Sequence, residues 1–419
     1  MAFTGGICYT SSRINPTRQK KFAASVNRQQ SKTFCRGPEP QKKETGNDMK
    51  DHQPDFHQLH FDSIQALRGI TALFIVLEHI RFLNCGAFGV DIFFCISGFM
   101  IMFSTHNGPA YFLRKRLIRI LPLYYLMTAG TFLLLILFPG MFEQTKADPV
   151  FLVKSLLFIP FDIGNGALQP LMRIGWTVNC EIFFYLVFFA AMHISHRFRG
   201  LICGLFLAGI TAAAALLPSP PAFPAFYGNP VMLEFLFGIT AYYAAWGLYR
   251  MHVQGSLPGF RRAVPEIEIE TAPPKGRIPG PHKNAGTVCS LALVLLCFVW
   301  LIATKPTINI LGFRRLFVWG IPAFLIVMGS FLLGLHGGKI PPSLVRLGDI
   351  SFSLYLMHYY PVALLDRAVF DFSAFTPYGL FGVAAAVAVS VTLAIISWAL
   401  IEKRFCGWLR SRLLNRNHP

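Results

Sequence analysis

The sequence predicts an all-α polytopic membrane protein of about ten transmembrane helices, with both termini in the cytoplasm. Three observations predict it. The 419 residues are 54% hydrophobic and only 14% charged, which is more apolar side chain than a soluble fold can hide. The apolar residues gather into runs of spanning length, at about 65–83, 86–105, 120–139, 176–194, 200–217, 231–250, 286–304, 316–334, 349–366 and 377–400. The basic residues sit in both tails and in alternate connections, the pattern of a membrane protein that keeps positive charge inside.

That last pattern sets the orientation. The N-terminal tail, RKRLIR at 114–119, HRFR at 196–199, the connection 251–285 and the residues after Glu402 are all basic. Ten spans place every one of them on the cytoplasmic side. The far side receives 140–175, 218–230, 305–315 and 367–376. Of these, 305–315 fits worst, because it carries Lys305, Arg314 and Arg315. The same placement accounts for the net charge of +18 by contact with lipid and leaves no nucleic-acid partner to explain. The nine cysteines form no CxxC pair and fall mostly in apolar runs, so they read as small hydrophobes and not as disulfides or metal ligands. The partners expected are the bilayer and small substrates; the oligomeric state has no signature.

Residues 1–60 are polar and basic without helical or strand period, and are predicted to be a disordered cytoplasmic tail. Met49 opens a sensible membrane-protein start, so 1–48 are expected to be an upstream extension. The membrane domain runs over 61–405 and is interrupted by 251–285, a Pro- and Gly-rich stretch predicted to be a flexible cytoplasmic loop. Residues 406–419 form a second basic tail. There is no internal repeat of the kind that builds many transporters.

The chemistry lies in the polar residues inside the apolar runs. A charge in a lipid-facing helix costs roughly 2.5–3.5 kcal/mol on insertion scales, so such residues normally line a cavity or pathway. In the first run, LRGITALFIVLEHI, Arg68 and His79 are eleven residues apart, close to three whole turns. A continuous helix would place both on one face, about 16 Å apart along the axis. The second run, FGVDIFFCISGFMI, carries Asp91, Ser97 and Gly98. Ser97 and Gly98 fit a close helix crossing, and Asp91 fits either a helix cap or a polar site. Arg116 and Arg119 precede the third run and share a face. They serve equally as a lipid anchor or as a bidentate clamp for phosphate. The fourth run opens on Trp176, at the interface, and holds Glu181 with Tyr185 one turn on. Glu181 needs a partner, for which Arg68 and His79 are the candidates. His358 lies in the ninth run among Tyr355, Tyr359 and Tyr360, an environment that more often packs a histidine than uses it. Glu402, Lys403 and Arg404 mark the cytoplasmic exit of the last run.

In this order the stretches LRGITALFIVLEH, FGVDIFFCISGFMI, RKRLIRILPLYY, WTVNCEIFFY, LGDISFSLYLMH and IEKRF resemble the acyltransferase-3 family of integral membrane acyltransferases. The resemblance covers about 61–405. It implies a ten-helix bundle that moves an acyl group from acyl-coenzyme A, taken on the cytoplasmic side, to a sugar hydroxyl on the far side. Residue by residue, it implies that Arg68 and His79 are the family's arginine–histidine pair. Arg116 and Arg119 become its basic motif, and Asp91, Ser97 and Gly98 its second-helix motif. Glu181 becomes its acidic position and His358 its late histidine. Glu78, directly before His79, and Asn179 depart from the family's usual pattern.

Acyl transfer to an alcohol needs a base and a grip on the donor. His79 suits the base, Glu181 and Arg68 join it as the expected catalytic residues, and Arg116 and Arg119, with Arg68, suit the phosphates of the donor. A thioester needs no metal to be a good acyl donor, and no HExxH motif or His/Cys cluster offers one a site. The expectation is therefore an O-acetyltransferase in the inner or plasma membrane, with acetyl-CoA as donor and a carbohydrate as acceptor. Direct transfer and an acyl-histidine intermediate both fit. The rival expectation is a transporter or exporter, which would use buried Arg, Glu and His equally well.

Overall fold

A computed structural model describes residues 56–139, 147–164, 166–253, 281–304, 312–370, 372 and 376–414. Most of the predicted tail, most of the predicted loop 251–285, and Lys305 lie outside them. Among the described residues the chain is helical throughout, with one isolated bridge between Asp162 and Leu168. The main helices are α1 (Asp62–Glu78), α2 (Gly89–Ser104), α3 (Phe112–Leu137), α4 (Trp176–Ile194), α5 (Arg199–Leu216), α6 (Glu234–Val253), α7 (Pro281–Thr304), α8 (Ile321–Leu335), α9 (Ser351–Met357), α10 (Tyr359–Ala368) and α11 (Pro377–Ser397).

Each of the ten apolar runs is occupied by helix, but not all by helices of full spanning length. Seven of the described helices are long and apolar enough to cross a membrane. The other three predicted spans fall short for local reasons. α1 has 17 residues and stops at Glu78, five before the predicted end. There the Glu78 carboxylate accepts from Gly86 N at 2.7 Å and Ala87 N at 3.0 Å, drawing the next segment back against the helix. Gly86 sits so close that a Cβ there would lie 1.7 Å from Phe74 O, which only glycine tolerates. α2 has 16 residues. The ninth run is broken between α9 and α10 at His358. Pro361 has no N–H to give to Met357 O one turn back, and its ring crowds that carbonyl, so the break falls where the sequence puts the proline.

Aromatic side chains fill the centre. Phe94, Phe184 and Phe235 stack from α2, α4 and α6, with ring centroids 4.3 Å and 4.1 Å from the shared Phe235. α2 and α6 cross at glycines: a Cβ on Gly98 would lie 2.1 Å from Phe235 O, and one on Gly238 2.0 Å from Cys95 O. α5 and α7 turn large apolar side chains outward, including Leu201, Leu205, Leu296 and Val299, as lipid-facing helices do. The predicted tail gives way before residue 60, because Phe56 is 2% exposed and packs on Phe103, Tyr242 and Phe331.

Two π-helical segments interrupt the regular ladder, at Leu316–Gly320 and Trp398–Phe405. Such segments often mark functional positions. Here each adjoins a charge that faces the protein: Arg315 directly precedes the first, and Glu402 lies in the second.

Candidate active site

α1, α2, α3, α4 and α9 meet around a narrow pocket of about 120 Å³. Its polar wall is Arg68, Ser97, Arg116, Arg119, Glu181 and Tyr185, and its apolar wall includes Phe93, Phe94 and Met100. Six of the predicted site residues thus come together from four helices. Arg68 Nη1 donates to Gln65 Oε1 at 3.2 Å, and Arg116 Nη2 donates to Ser104 Oγ at 2.9 Å. The Arg116 guanidinium also lies 5.6 Å from the centre of the Tyr185 ring, a cation–π distance. Arg119 makes no hydrogen bond among the described residues. Ser351 Oγ, fully buried in the pocket wall, has no hydrogen-bond partner either.

Glu181 is paired differently from expectation. Its Oε1 accepts from Ser97 Oγ at 3.1 Å and from the Tyr185 hydroxyl, and not from Arg68 or His79. The Tyr185 contact follows from their spacing of four on one helix face. Ser97 and Gly98, neighbours in sequence, therefore do different things. Ser97 points into the pocket, whereas Gly98 makes the crossing with α6.

His79 does not line this pocket. α1 ends one residue before it, and its ring turns back so that Nδ1 lies 2.9 Å from Ile75 O. His358, fully buried at the α9–α10 break, places Nε2 3.1 Å from His79 Nδ1. The two histidines, 279 residues apart in sequence, are in direct contact. Between them and the pocket stands Tyr355. It lines the pocket, and its ring centroid is 6.1 Å from that of His358. Its hydroxyl donates to Ile174 O at 2.9 Å and lies 2.5 Å from Thr177 Oγ1. The single face expected for Arg68 and His79 is thus divided into a basic chamber and a histidine pair, with Tyr355 and Thr177 between.

Asp91 belongs to neither. It is fully buried and bound by both arms of Arg315, Nε to Oδ1 at 3.0 Å and Nη2 to Oδ2 at 2.7 Å. Arg315 Nη2 also reaches Ala87 O at 3.3 Å, and its guanidinium lies over Trp319 at 5.0 Å. Glu234, itself fully buried, adds a second carboxyl to this group. Asp91 is therefore an ion-pair partner and not a cap, and Arg315 is not the loop charge that the topology found awkward. Trp176 packs edge-on against Phe94 behind the pocket.

Sequence reasoning missed Arg315, Tyr355, Thr177, Ser351 and the inward role of Glu402, whose Oε1 accepts from Ser353 Oγ at 2.5 Å. Arg315 left a trace as the basic residue that broke the charge rule, and Tyr355 only as a neighbour of His358. Among the described residues no group of three or more His, Cys, Asp or Glu side chains is arranged to hold a metal.

The fold is thus an all-α membrane bundle with a basic, helix-lined pocket beside a histidine pair. A family profile described as an acyltransferase domain matches residues 61–395, and the chain belongs to this family, acyltransferase-3. It is 28% identical over 330 residues to the exopolysaccharide production protein ExoZ of Rhizobium meliloti (strain 1021), covering 76% of this chain and 89% of ExoZ. It is 25% identical over 383 residues to the Bacillus subtilis (strain 168) protein YrhL, covering 83% of this chain and 55% of YrhL. A third match, 27% over 191 residues, is to O-acetyltransferase OatA of Staphylococcus aureus (strain NCTC 8325 / PS 47), covering 41% of this chain and 31% of OatA. No solved structure matches the chain. The protein is a multi-pass membrane acyltransferase.

Proposed function

We propose that this acyltransferase takes an acyl group, acetyl, from acyl-coenzyme A at the cytoplasmic face and transfers it to a hydroxyl of an extracytoplasmic sugar or polysaccharide. The observation that carries the reading is the imbalance of the pocket. Three guanidinium groups share it with one carboxylate, and that carboxylate already accepts two hydroxyl hydrogen bonds. Such a wall favours a ligand with several negative charges, and arginine forks match phosphate oxygens. The names of ExoZ and OatA favour a polysaccharide acceptor and an acetyl group. The topology that fits is the one read from the charges: ten crossings of the inner or plasma membrane with both termini cytoplasmic.

In this reading Arg68, Arg116 and Arg119 hold the phosphates of the donor, and the thioester points toward Tyr355. Ser351 Oγ is free to bind the arm of the donor. Glu181 keeps Ser97 and Tyr185 in place and is a positioning residue. His79 takes the proton of the acceptor hydroxyl as its oxygen attacks the thioester carbon. The C–S bond then breaks, and the thiolate takes that proton. For the pocket to reach the histidine pair, the Tyr355 ring must move aside, which releases its contacts with Thr177 and Ile174 O.

Proteoliposomes of the purified protein, given labelled acetyl-CoA and an oligosaccharide acceptor, test this. Acetylated oligosaccharide in wild type and none in His79→Ala, at equal abundance, is the expected result. Solute flux without acetylated product would replace the reading with a transporter.

A further inference from the structure

The contacts of the histidine pair assign its hydrogens. His358 Nδ1 lies 3.1 Å from Leu354 O, one turn back on its own helix. A carbonyl oxygen only accepts, so Nδ1 of His358 carries the hydrogen. Its Nε2 is then a lone pair, and it points at His79 Nδ1 from 3.1 Å. His79 Nδ1 also lies 2.9 Å from Ile75 O, a second acceptor. Two acceptors converge on one nitrogen, and both are satisfied only if His79 Nδ1 bears a hydrogen shared between them. A hydrogen on His358 Nε2 would instead set two N–H groups against each other. One arrangement therefore serves all three contacts, and it leaves His79 Nε2 as the bare nitrogen.

We infer that His358 is a positioning residue that holds His79 in its Nδ1–H tautomer and so reserves Nε2 as the base for the acceptor hydroxyl. The inference rests on the acyl-transfer reading above and gives a purpose to the burial of His358. Its rigidity comes from the fold: it is 0% exposed, sits at the Pro361 break, and is tied to Leu354 O. Ile75 O is well placed for its share, since at the C-terminal end of α1 the backbone N–H of His79 goes to Val76 and Leu77, not to Ile75. A carboxylate partner would add charge to the histidine. A neutral imidazole supplies orientation alone, through a ring plane fixed by His358 and edge contact with Tyr359, whose ring centre lies 5.3 Å away.

The test uses the full-length protein in proteoliposomes with labelled acetyl-CoA and the oligosaccharide acceptor, as wild type, His358→Ala and His358→Gln. Thermal unfolding of each variant verifies the fold. Glutamine can offer a carbonyl oxygen to His79 Nδ1, and alanine cannot. The expected result is a fall in kcat of about 100-fold or more for His358→Ala, in the range for loss of an effective general base, with KM for acetyl-CoA unchanged. His358→Gln should recover about tenfold of that loss. A merely structural histidine would lower the unfolding temperature in both variants and leave kcat per folded molecule alone, and that outcome overturns the inference. A second readout does not depend on turnover. The ¹⁵N-histidine solid-state spectrum of wild type, less that of His79→Ala, should give the His79 hydrogen at Nδ1, with both tautomers present once His358 is alanine. A hydrogen at Nε2 in wild type overturns the inference even if acetylation is normal. Absence of any transfer by wild type would instead remove the functional reading and leave the tautomer result standing on its own.

Discussion

Two groups of charge lie within this bundle, one buried and one half-buried, and they are built to opposite plans. Around Asp91, the arginine is saturated: Arg315 spends its fork on both carboxylate oxygens and its remaining reach on Ala87 O. Around Glu181, three arginines share a pocket with few acceptors. Arg68 and Arg116 make one hydrogen bond each, to Gln65 and Ser104, and Arg119 makes none among the described residues. The paired Arg315 needs no ligand and holds helices together, with the Glu234 carboxyl buried beside it. An open cluster of like charge is held at a cost that a bound anion would offset. Burial follows the same division: Asp91 and Arg315 are buried, whereas Arg68, Arg116, Arg119 and Glu181 are half-buried around the pocket.

The sharpest way to break this comparison is to open the closed pair. Asp91→Ala leaves Arg315 buried without its partner, an event that typically costs about 3–5 kcal/mol. The expected outcome is a protein that scarcely accumulates in the membrane, measured by quantitative immunoblotting. Near-normal abundance would mean that Asp91 is not structural. The open cluster should respond in the reverse sense. Arg116→Ala ought to leave abundance and unfolding temperature unchanged and weaken acetyl-CoA binding by about 10- to 100-fold, the value of a charge-assisted hydrogen bond. Microscale thermophoresis of the solubilised protein gives the dissociation constant. An unchanged constant would reduce Arg116 to a lipid anchor.

The residues that made this comparison possible were not equally legible in the sequence. Arg68, Arg116, Arg119 and Glu181 stand out because a charge in an apolar run is costly, and that cost is visible without a structure. The helices were legible for the same reason, since run length and composition fix a membrane helix more firmly than a soluble one. Their breaks were less so. The end of α1 depends on a carboxylate reaching backbone N–H groups eight and nine residues on, and nothing in a hydropathy pattern records that. Pairings across the bundle were not legible at all. Asp91 with Arg315 and His79 with His358 are 224 and 279 residues apart, and one sequence carries no signal of such contacts. Tyr355 and Thr177 were hidden for another reason: uncharged residues in an aromatic run look like packing.

A smaller effect probes the boundary between the open cluster and the histidine pair. Tyr355→Phe keeps the ring and removes the hydroxyl that binds Thr177 and Ile174 O. If the ring must move for transfer, loosening it should raise wasteful hydrolysis of acetyl-CoA relative to transfer by a few-fold, because each neutral hydrogen bond contributes only about 0.5–1.5 kcal/mol. Free acetate released in the absence of acceptor measures this. An unchanged ratio of hydrolysis to transfer would argue that Tyr355 is a fixed wall.

The smallest effect on turnover is expected at Glu78, which adjoins the proposed base in sequence and binds the turn after α1. Its carboxylate accepts from Gly86 N and Ala87 N, and Ala87 O in turn accepts from Arg315, so Glu78 secures the turn that carries the closed pair. Glu78→Gln retains a carbonyl oxygen for the same two donors. It loses only the charge assistance, which roughly doubles the strength of such bonds. Its unfolding temperature should therefore fall by a few degrees, while kcat stays within about twofold of wild type, since the two hydrogen bonds of that side chain hold the turn after α1. Glu78→Ala leaves both amides without this acceptor, and its unfolding temperature should fall further. A large loss of kcat in the glutamine variant, with its unfolding temperature intact, would move Glu78 from the turn to the chemistry of His79.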